Sequence, residues 1–293
     1  MTLPSRTAGE ATLLRGRGPG YVRIRAVPLL TSEAFVIDVR KMAEADRLVT
    51  FFTEDAGKIR GVAASAGKSR RRFGGKLERL SRVRVTYFEK EGRELARIDS
   101  CDLLEESFTL YQDLVVAATL SYVAEMVDVF SHERESEPRY FRLLKALMAA
   151  VRAGCDPTIL ARYFETWTLR LHGLMPALDA CAHCGGSLSA SGARVNPGEM
   201  SMASCPGCAR GGAAQSGGAE RARSGTLRLS PAALTLLEQF RKSAPGDFQG
   251  KPAPQKSAMA EVEEFTVGLL TSFTGHGFRS YGFLKHLEEM ETP

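Results

Sequence analysis

Arg47-Leu48-Val49-Thr50-Phe51-Phe52-Thr53-Glu54-Asp55-Ala56-Gly57-Lys58-Ile59-Arg60-Gly61-Val62-Ala63-Ala64 is the stretch that decides the fold. Two runs rich in Val, Phe, Ile and Thr flank Asp55-Ala56-Gly57. They read as strands 47–53 and 58–64 joined by a hairpin turn. Working outward, Ala34–Val39 precedes them with the same composition. Val83–Phe88 and Leu95–Cys101 follow, separated by a second turn at Glu91-Gly92-Arg93. A long basic segment, 65–80, parts the third strand from the fourth. Five short strands with one longer insertion after the third predict an OB-type barrel, a design that binds oligonucleotides on a strand face and its flanking loops. An SH3-like five-stranded barrel is the structural alternative.

Charge points at the same region. The chain has 293 residues and a formal net charge of +5. Residues 1–105 hold 21 basic against 14 acidic side chains; the remainder hold 18 against 20. Within 57–84, ten cations (Lys58, Arg60, Lys68, Arg70, Arg71, Arg72, Lys76, Arg79, Arg82 and Arg84) face a single acid, Glu78. So local a field suits a polyanionic partner, nucleic acid first among them. Lys58, Arg60, Lys68, Arg70, Arg71, Arg72, Lys76 and Arg82 are the expected phosphate contacts. Phe73, inside the cationic loop, either stacks a base or pins the loop to the barrel.

After Ser107 the apolar period changes from strand to helix. Leu110, Leu114, Ala117, Ala118, Ser121 and Tyr122 recur at helical spacing, and Val123, Met126, Val127 and Phe130 extend it. A second helix spans Pro138 to Ala153. A third starts at Asp156-Pro157, a cap followed by proline at the first turn. Ser230-Pro231 opens another, Glu261–Phe273 is helical, and Ser280–Leu287 forms a last short helix. Short connections imply a bundle. The whole is an α+β multidomain chain. It has a flexible tail at 1–30, a barrel at 31–105, a helical domain at 106–178 plus 226–293, an inserted zinc module at 179–210 and a linker at 211–225. Met126, Met148, Met175 and Trp167 read as core fill.

The cysteines define the inserted module. Cys181/Cys184 and Cys205/Cys208 form two CxxC pairs with twenty residues between them. This is the spacing of a four-thiolate zinc site, which is structural because no coordination position is left open. Gly185-Gly186 and Pro206-Gly207 are suited to the tight turns under the metal. His183 sits between the first pair and is not needed as a ligand. Between 181 and 208 the only charged residues besides the thiols are Arg194 and Glu199, so this module is not the expected reader of nucleic acid.

Enzyme chemistry has no foothold in the pattern. His132, His172, His183, His276 and His286 are scattered, and no HExxH, Walker loop or nucleophile elbow occurs. Asp99 and Asp102 read as a strand end and a helix start rather than a metal-dependent nuclease pair. The longest apolar stretch, Leu114 to Ala124, is eleven residues, too short to span a bilayer. Paired thiols with no signal segment fit a reducing cytoplasm, so a cytoplasmic, nucleoid-associated protein is expected.

These stretches also resemble a known family, the bacterial RecO recombination mediators. The likeness rests on Glu44-Ala45-Asp46-Arg47-Leu48-Val49 with Gly57-Lys58-Ile59-Arg60-Gly61, on Ser69-Arg70-Arg71-Arg72-Phe73-Gly74-Gly75, and on Ile98–Ser107. It continues through Leu171-His172-Gly173-Leu174-Met175-Pro176 into Cys181, Leu229-Ser230-Pro231-Ala232-Ala233, and Arg279-Ser280-Tyr281-Gly282-Phe283-Leu284, in order over 34–287. The resemblance implies an OB barrel, a helical domain and a zinc module, and an activity without bond chemistry. Such proteins bind single- and double-stranded DNA, anneal complementary strands, and with RecR help load recombinase onto strands covered by single-strand-binding protein. It implies DNA contacts at the basic positions near Arg47 and Arg70–Arg72. It also implies a groove in the helical domain for the tail of single-strand-binding protein, with Arg142, Arg152, Arg162 or Arg170 meeting its carboxylate. The alternative is a zinc-containing nucleic-acid-binding adaptor without annealing activity.

Overall fold

A computed structural model describes residues 28–90, 92–197, 202–215 and 226–291. The expected tail at 1–30 falls almost wholly outside these residues, as do Glu91 of the second turn and 216–225 of the expected linker. The chain divides into two compact units, one comprising the residues up to Phe108 with Ser131–Glu137, the other Thr109–Phe130 with Pro138 onward.

Five strands build the first unit: β1 (Leu29–Lys41), β2 (Arg47–Thr53), β3 (Gly57–Ala63), β4 (Arg82–Phe88) and β5 (Ala96–Glu105). They close in the order β1-β2-β3-β5-β4. Closure depends on β1, which is long enough to pair twice. Its first half lies against β4, Leu29 opposite Phe88 through Phe35 opposite Arg82. Its second half lies against β2, Ala34 opposite Thr53 through Lys41 opposite Arg47. A register shift between Val36 and Asp38 bends the strand from one partner to the other. β1 begins before Ala34 because Leu29–Glu33 draw their pairing from β4, a non-local partner. β3 completes the ring through a parallel pairing with β5, Gly61 opposite Ala96 and Ala63 opposite Ile98. A Cβ at Gly61 would stand 2.4 Å from Ile98 Cδ1, so only glycine admits β5 this closely.

Period-two alternation fills the barrel. Val49, Phe51, Ile59, Val83, Val85, Tyr87, Ile98 and Cys101 share one core, all at 3% exposure or less. Asp99 and Asp102 both lie within β5, so Asp102 does not start a helix; pairing with β4 carries the strand on to Glu105. The basic insertion contains a one-turn helix, α1 (Arg70–Phe73).

The segment Ser131–Glu137, between two helices of the second unit, folds with the barrel. Lys58 N donates to His132 O at 2.9 Å and Arg134 N donates to Lys58 O at 3.0 Å. Gly57, at φ +61°, makes room for it: a Cβ there would meet Glu135 O at 1.9 Å.

The second unit contains α2 (Leu114–Phe130), α3 (Pro138–Arg152), α4 (Pro157–Leu171), α5 (Leu188–Ser191), α6 (Pro206–Gln215), α7 (Pro231–Lys242), α8 (Lys256–Thr274) and α9 (Arg279–Glu291). Asp156 caps α4 by accepting from Thr158 N and Ile159 N, and Ser230 caps α7 by accepting from Ala233 N. Helix α6 replaces the first five residues of the expected linker, with Pro206 at its first turn. Met126 and Met148 are fully buried, and half-buried Trp167 donates from Nε1 to Phe240 O at 3.0 Å. No helix among the described residues is long and apolar enough to cross a membrane.

A buried ion cluster ties three helices together. Arg162 on α4 is 1% exposed. It pairs with Glu165 at 2.8 Å and with Glu263 of α8 at 3.0 Å. Glu263 also accepts from Tyr281 Oη and Lys285 Nζ of α9. Burial raises the Glu165 carboxyl to about 7, against the pull of Arg162 and a hydrogen bond from Thr266. Burial also works against charge on Glu263, yet Arg162, Tyr281 and Lys285 hold its carboxyl below the usual range. Arg162, expected as a partner-facing cation, is therefore committed to the interior; Arg142, Arg152 and Arg170 are exposed. Removing one member of a buried pair strands the others, so Arg162→Ala should destabilise the second unit by about 3–5 kcal/mol. Thermal unfolding checks this; a wild-type midpoint would contradict it.

Candidate nucleic-acid interface and metal centre

The barrel's cations divide into two groups by what they touch. Arg72 is half-buried and works on its own loop. Its Nη2 donates to Ala64 O at 2.8 Å, its Nε to Ser69 Oγ at 3.2 Å, and its guanidinium lies 5.0 Å from the Phe73 ring centroid. Lys76 donates from Nζ to Cys101 O at 2.7 Å and to Arg71 O at 3.1 Å. Arg82, 14% exposed, bridges Glu33 at 2.6 Å and Glu105, stapling β1, β4 and β5. The bond to Glu105 raises its pKa, outweighing burial. These three side chains hold the barrel together, and that work competes with holding phosphate.

Others face outward. Arg60 pairs with Glu133 at 2.7 Å, both about half exposed. Lys68 lies 3.9 Å from Glu44 with both side chains largely in solvent, a weak contact. Lys58 is half-buried on β3, and Arg47, at the start of β2, donates to Asp46 O at 3.1 Å. Arg71 is exposed with no ion pair among the described residues. Arg70 opens α1, and its side chain lies outside the described ones. The expected list lacked Arg97, which is exposed on β5 opposite half-buried Phe88 of β4. Strand alternation was the available signal: Arg97 falls between inward Ala96 and Ile98. Arg84, counted in the basic run but not among the expected contacts, is likewise exposed on β4.

Phe73 corrects an expectation. It is 2% exposed and belongs to the barrel core, so its ring pins the loop and is not offered to a base. Burying one aromatic ring is worth more to a short helical turn than leaving it beside three arginines in water. Next to it, a cavity of about 340 Å³ is lined by Val39, Arg47, Phe73, Gly74, Leu77 and Glu78 among others. Two stretches far apart in sequence, around Arg47 and around Phe73-Gly74-Gly75, therefore meet at one place.

In the second unit the four cysteines converge. Their Sγ atoms all lie within 4.8 Å of one another, and Cys184 and Cys205 are 3.9 Å apart. Tetrahedral ligation at about 2.3 Å per sulfur requires S–S separations of roughly 3.8 Å. Amides of the second pair point at sulfur: Cys205 N lies 3.2 Å from Cys181 Sγ, and Cys208 N lies 3.4 Å from Cys205 Sγ. Ala182 N donates to Ala203 O at 2.9 Å, joining the two turns. Backbone N–H donors from Cys205 and Cys184 lower the Cys181 thiol to about 6, and Cys205 is lowered by the amide and thiol of Cys208. Cys208 is pushed up to about 12 by hydrogen bonding to Cys205 and Cys184. His183 is exposed and outside the cluster.

A basic five-stranded barrel followed by a helical unit with a four-thiol cluster is thus an α+β, two-unit build. Its first part matches the family described as recombination protein O N terminal, over residues 28–107. Its second matches recombination protein O C terminal, over 111–281. The chain belongs to the recombination protein O family. It is 45% identical over 160 residues to the DNA repair protein RecO of Koribacter versatilis (strain Ellin345), covering 55% of this chain and 65% of that protein. The DNA repair protein RecO of Geobacter sulfurreducens is 38% identical over 181 residues, 62% of this chain and 73% of that protein. That of Geobacter metallireducens is 31% identical over 257 residues, 88% and 97% respectively.

Two outcomes follow from the geometry. Phe73→Ala should lower barrel stability by about 3–5 kcal/mol, the usual range for a buried ring. A wild-type denaturation midpoint would contradict the burial. Elemental analysis should find about one thiolate-preferring divalent ion per chain. Cys184→Ser should lose it and unfold at lower temperature; metal-free wild-type protein with paired disulfides would exclude the site.

Proposed function

We propose that this chain is a DNA-binding recombination mediator that acts without bond chemistry. It binds single- and double-stranded DNA, anneals complementary strands, and helps load recombinase on strands covered by single-strand-binding protein. The single observation that carries the reading is family membership over both units, joined to relatives named as DNA repair proteins. The strand order, with β3 and β5 parallel, favours an OB-type barrel over an SH3-like one. Arg71, Arg84 and Arg97 are its outward cations, with Arg47, Lys58, Arg60 and Lys68 beside them, and Phe88 next to Arg97 is the aromatic surface for a base. Four thiolates at tetrahedral spacing suit a structural Zn2+ with no open position for substrate. A RecR-like protein and the tail of single-strand-binding protein are the partners, the latter in a groove of the helical unit. A cytoplasmic, nucleoid-associated location goes with this role.

Binding of this kind is driven by counterion release, so it is read from salt dependence. Arg71→Glu with Arg97→Glu should weaken binding to single strands of any sequence. The slope of log affinity against log salt should fall by about 1.4, roughly 0.7 per lost phosphate contact. Fluorescence anisotropy across a salt series measures it. An unchanged slope would remove DNA binding from these barrel positions.

A further inference from the structure

One of the barrel's expected phosphate contacts is already held by an acid of its own chain. Strand β3 meets β5 only from Gly61 to Ala63, so β5 leaves the edge at Gly57–Arg60 unpaired. The Ser131–Glu137 segment lies along that edge, and Lys58 bonds to it through both its amide and its carbonyl. Further anchors fix the same segment. Arg134 donates to Arg93 O at 2.8 Å and Glu94 O at 3.0 Å, and pairs with Glu89 at 3.3 Å. Ser136 Oγ donates to Glu54 O at 3.1 Å, and His132 N donates to the Glu137 carboxylate at 2.6 Å. None of these bonds uses the Glu133 carboxylate. Among the described residues its partner is Arg60 on β3, at 2.7 Å. The segment carries three glutamates against one arginine, and that arginine is engaged by Glu89 and two carbonyls.

A carboxylate on a guanidinium occupies the donors that a phosphate oxygen would take. Arg60 and Glu133 are each nearly half exposed, so water weakens the pair and an incoming phosphate can replace it. The backbone anchors keep the acid beside Arg60 at a high effective concentration, which a free anion in solution does not match. We propose that Glu133 is a tethered phosphate mimic, a built-in competitor that occupies Arg60 and weakens the hold of β3 on a nucleic-acid backbone. The inference rests on the reading of the barrel as a DNA-binding surface and adds a brake to it. When a strand arrives, the Glu133 carboxylate gives way while the backbone of the segment stays seated at Lys58 and Glu54. A strand held against such a competitor stays exchangeable, and a protein that pairs one strand with another must surrender what it holds.

The test uses the full-length chain and fluorescence anisotropy with a labelled single strand across a salt series. Glu133→Gln should tighten binding about two- to fivefold, the range over which an exposed ion pair acts. The slope of log affinity against log salt should steepen by about 0.7, one further phosphate contact. Glu133→Ala, which removes the side chain altogether, should give the same gain. Added to Arg60→Gln, the Glu133→Gln change should give no gain, because the cation it releases is gone. Glu135→Gln removes an equal charge from the same segment without touching Arg60, and its slope should stay at the wild-type value. Unchanged affinity and slope in both Glu133 variants overturn the proposal. An equal gain in Glu135→Gln, or a gain that survives Arg60→Gln, also overturns it, since net charge alone would then be the cause. A lowered thermal midpoint with no gain in affinity makes the pair a structural contact and overturns it too. Failure here, with the Arg71/Arg97 variant still lowering its slope, leaves the barrel reading intact. A Glu133 gain beside an unchanged Arg71/Arg97 slope removes those two positions and keeps the contact on β3.

Discussion

The barrel depends on one strand paired on both sides. Each half of β1 satisfies its backbone groups against a different neighbour, and the shift between Val36 and Asp38 turns it from one to the other. Without that bend the five strands would be an open sheet with two unpaired edges. Arg82 reinforces the same place by linking Glu33 on β1 with Glu105 on β5 from its own position on β4. Gly61 then lets β3 approach Ile98, and the ring closes.

This constraint sorts the basic residues. A closed barrel of five strands has a small interior, so inward positions are apolar and every cation must either lie outward or be answered locally. Arg72, Lys76 and Arg82 are answered by carbonyls and carboxylates. Arg71, Arg84 and Arg97 keep their charge toward solvent. The second unit follows the same rule more severely. Arg162 is fully buried, and its charge persists because Glu165 and Glu263 lie within 3.0 Å. Such a cluster adds little net stability over an apolar core, and its bonds join α4, α8 and α9 at one point.

What was legible in the sequence was whatever local chemistry decides. β2 occupies the residues its composition indicates, because Val49, Thr50, Phe51, Phe52 and Thr53 are β-branched or aromatic and form one continuously buried run. The start of α4 was legible because Asp156-Pro157 is a cap and a first turn in themselves. The CxxC pairs were legible because metal-ligand spacing is a property of the chain. Non-local choices were not legible. The first five residues of β1 are a strand only because β4 lies beside them. Phe73 sits among arginines in the sequence and among Val83, Tyr87 and Ile98 in the fold. The Ser131–Glu137 segment reads as an interhelical connection, yet a glycine at position 57 lets it seat against the barrel.

The same distinction governs charge. A linear count finds a basic run when cations are neighbours in sequence, as at 57–84, and overstates it where those cations are already engaged. It misses a cluster when the cations are neighbours only in register. Arg194 and Arg228 are separated by 33 intervening residues and by one ladder rung in a three-stranded sheet of the second unit. Like charges facing across one rung work against the pairing, a cost that a count along the chain does not register.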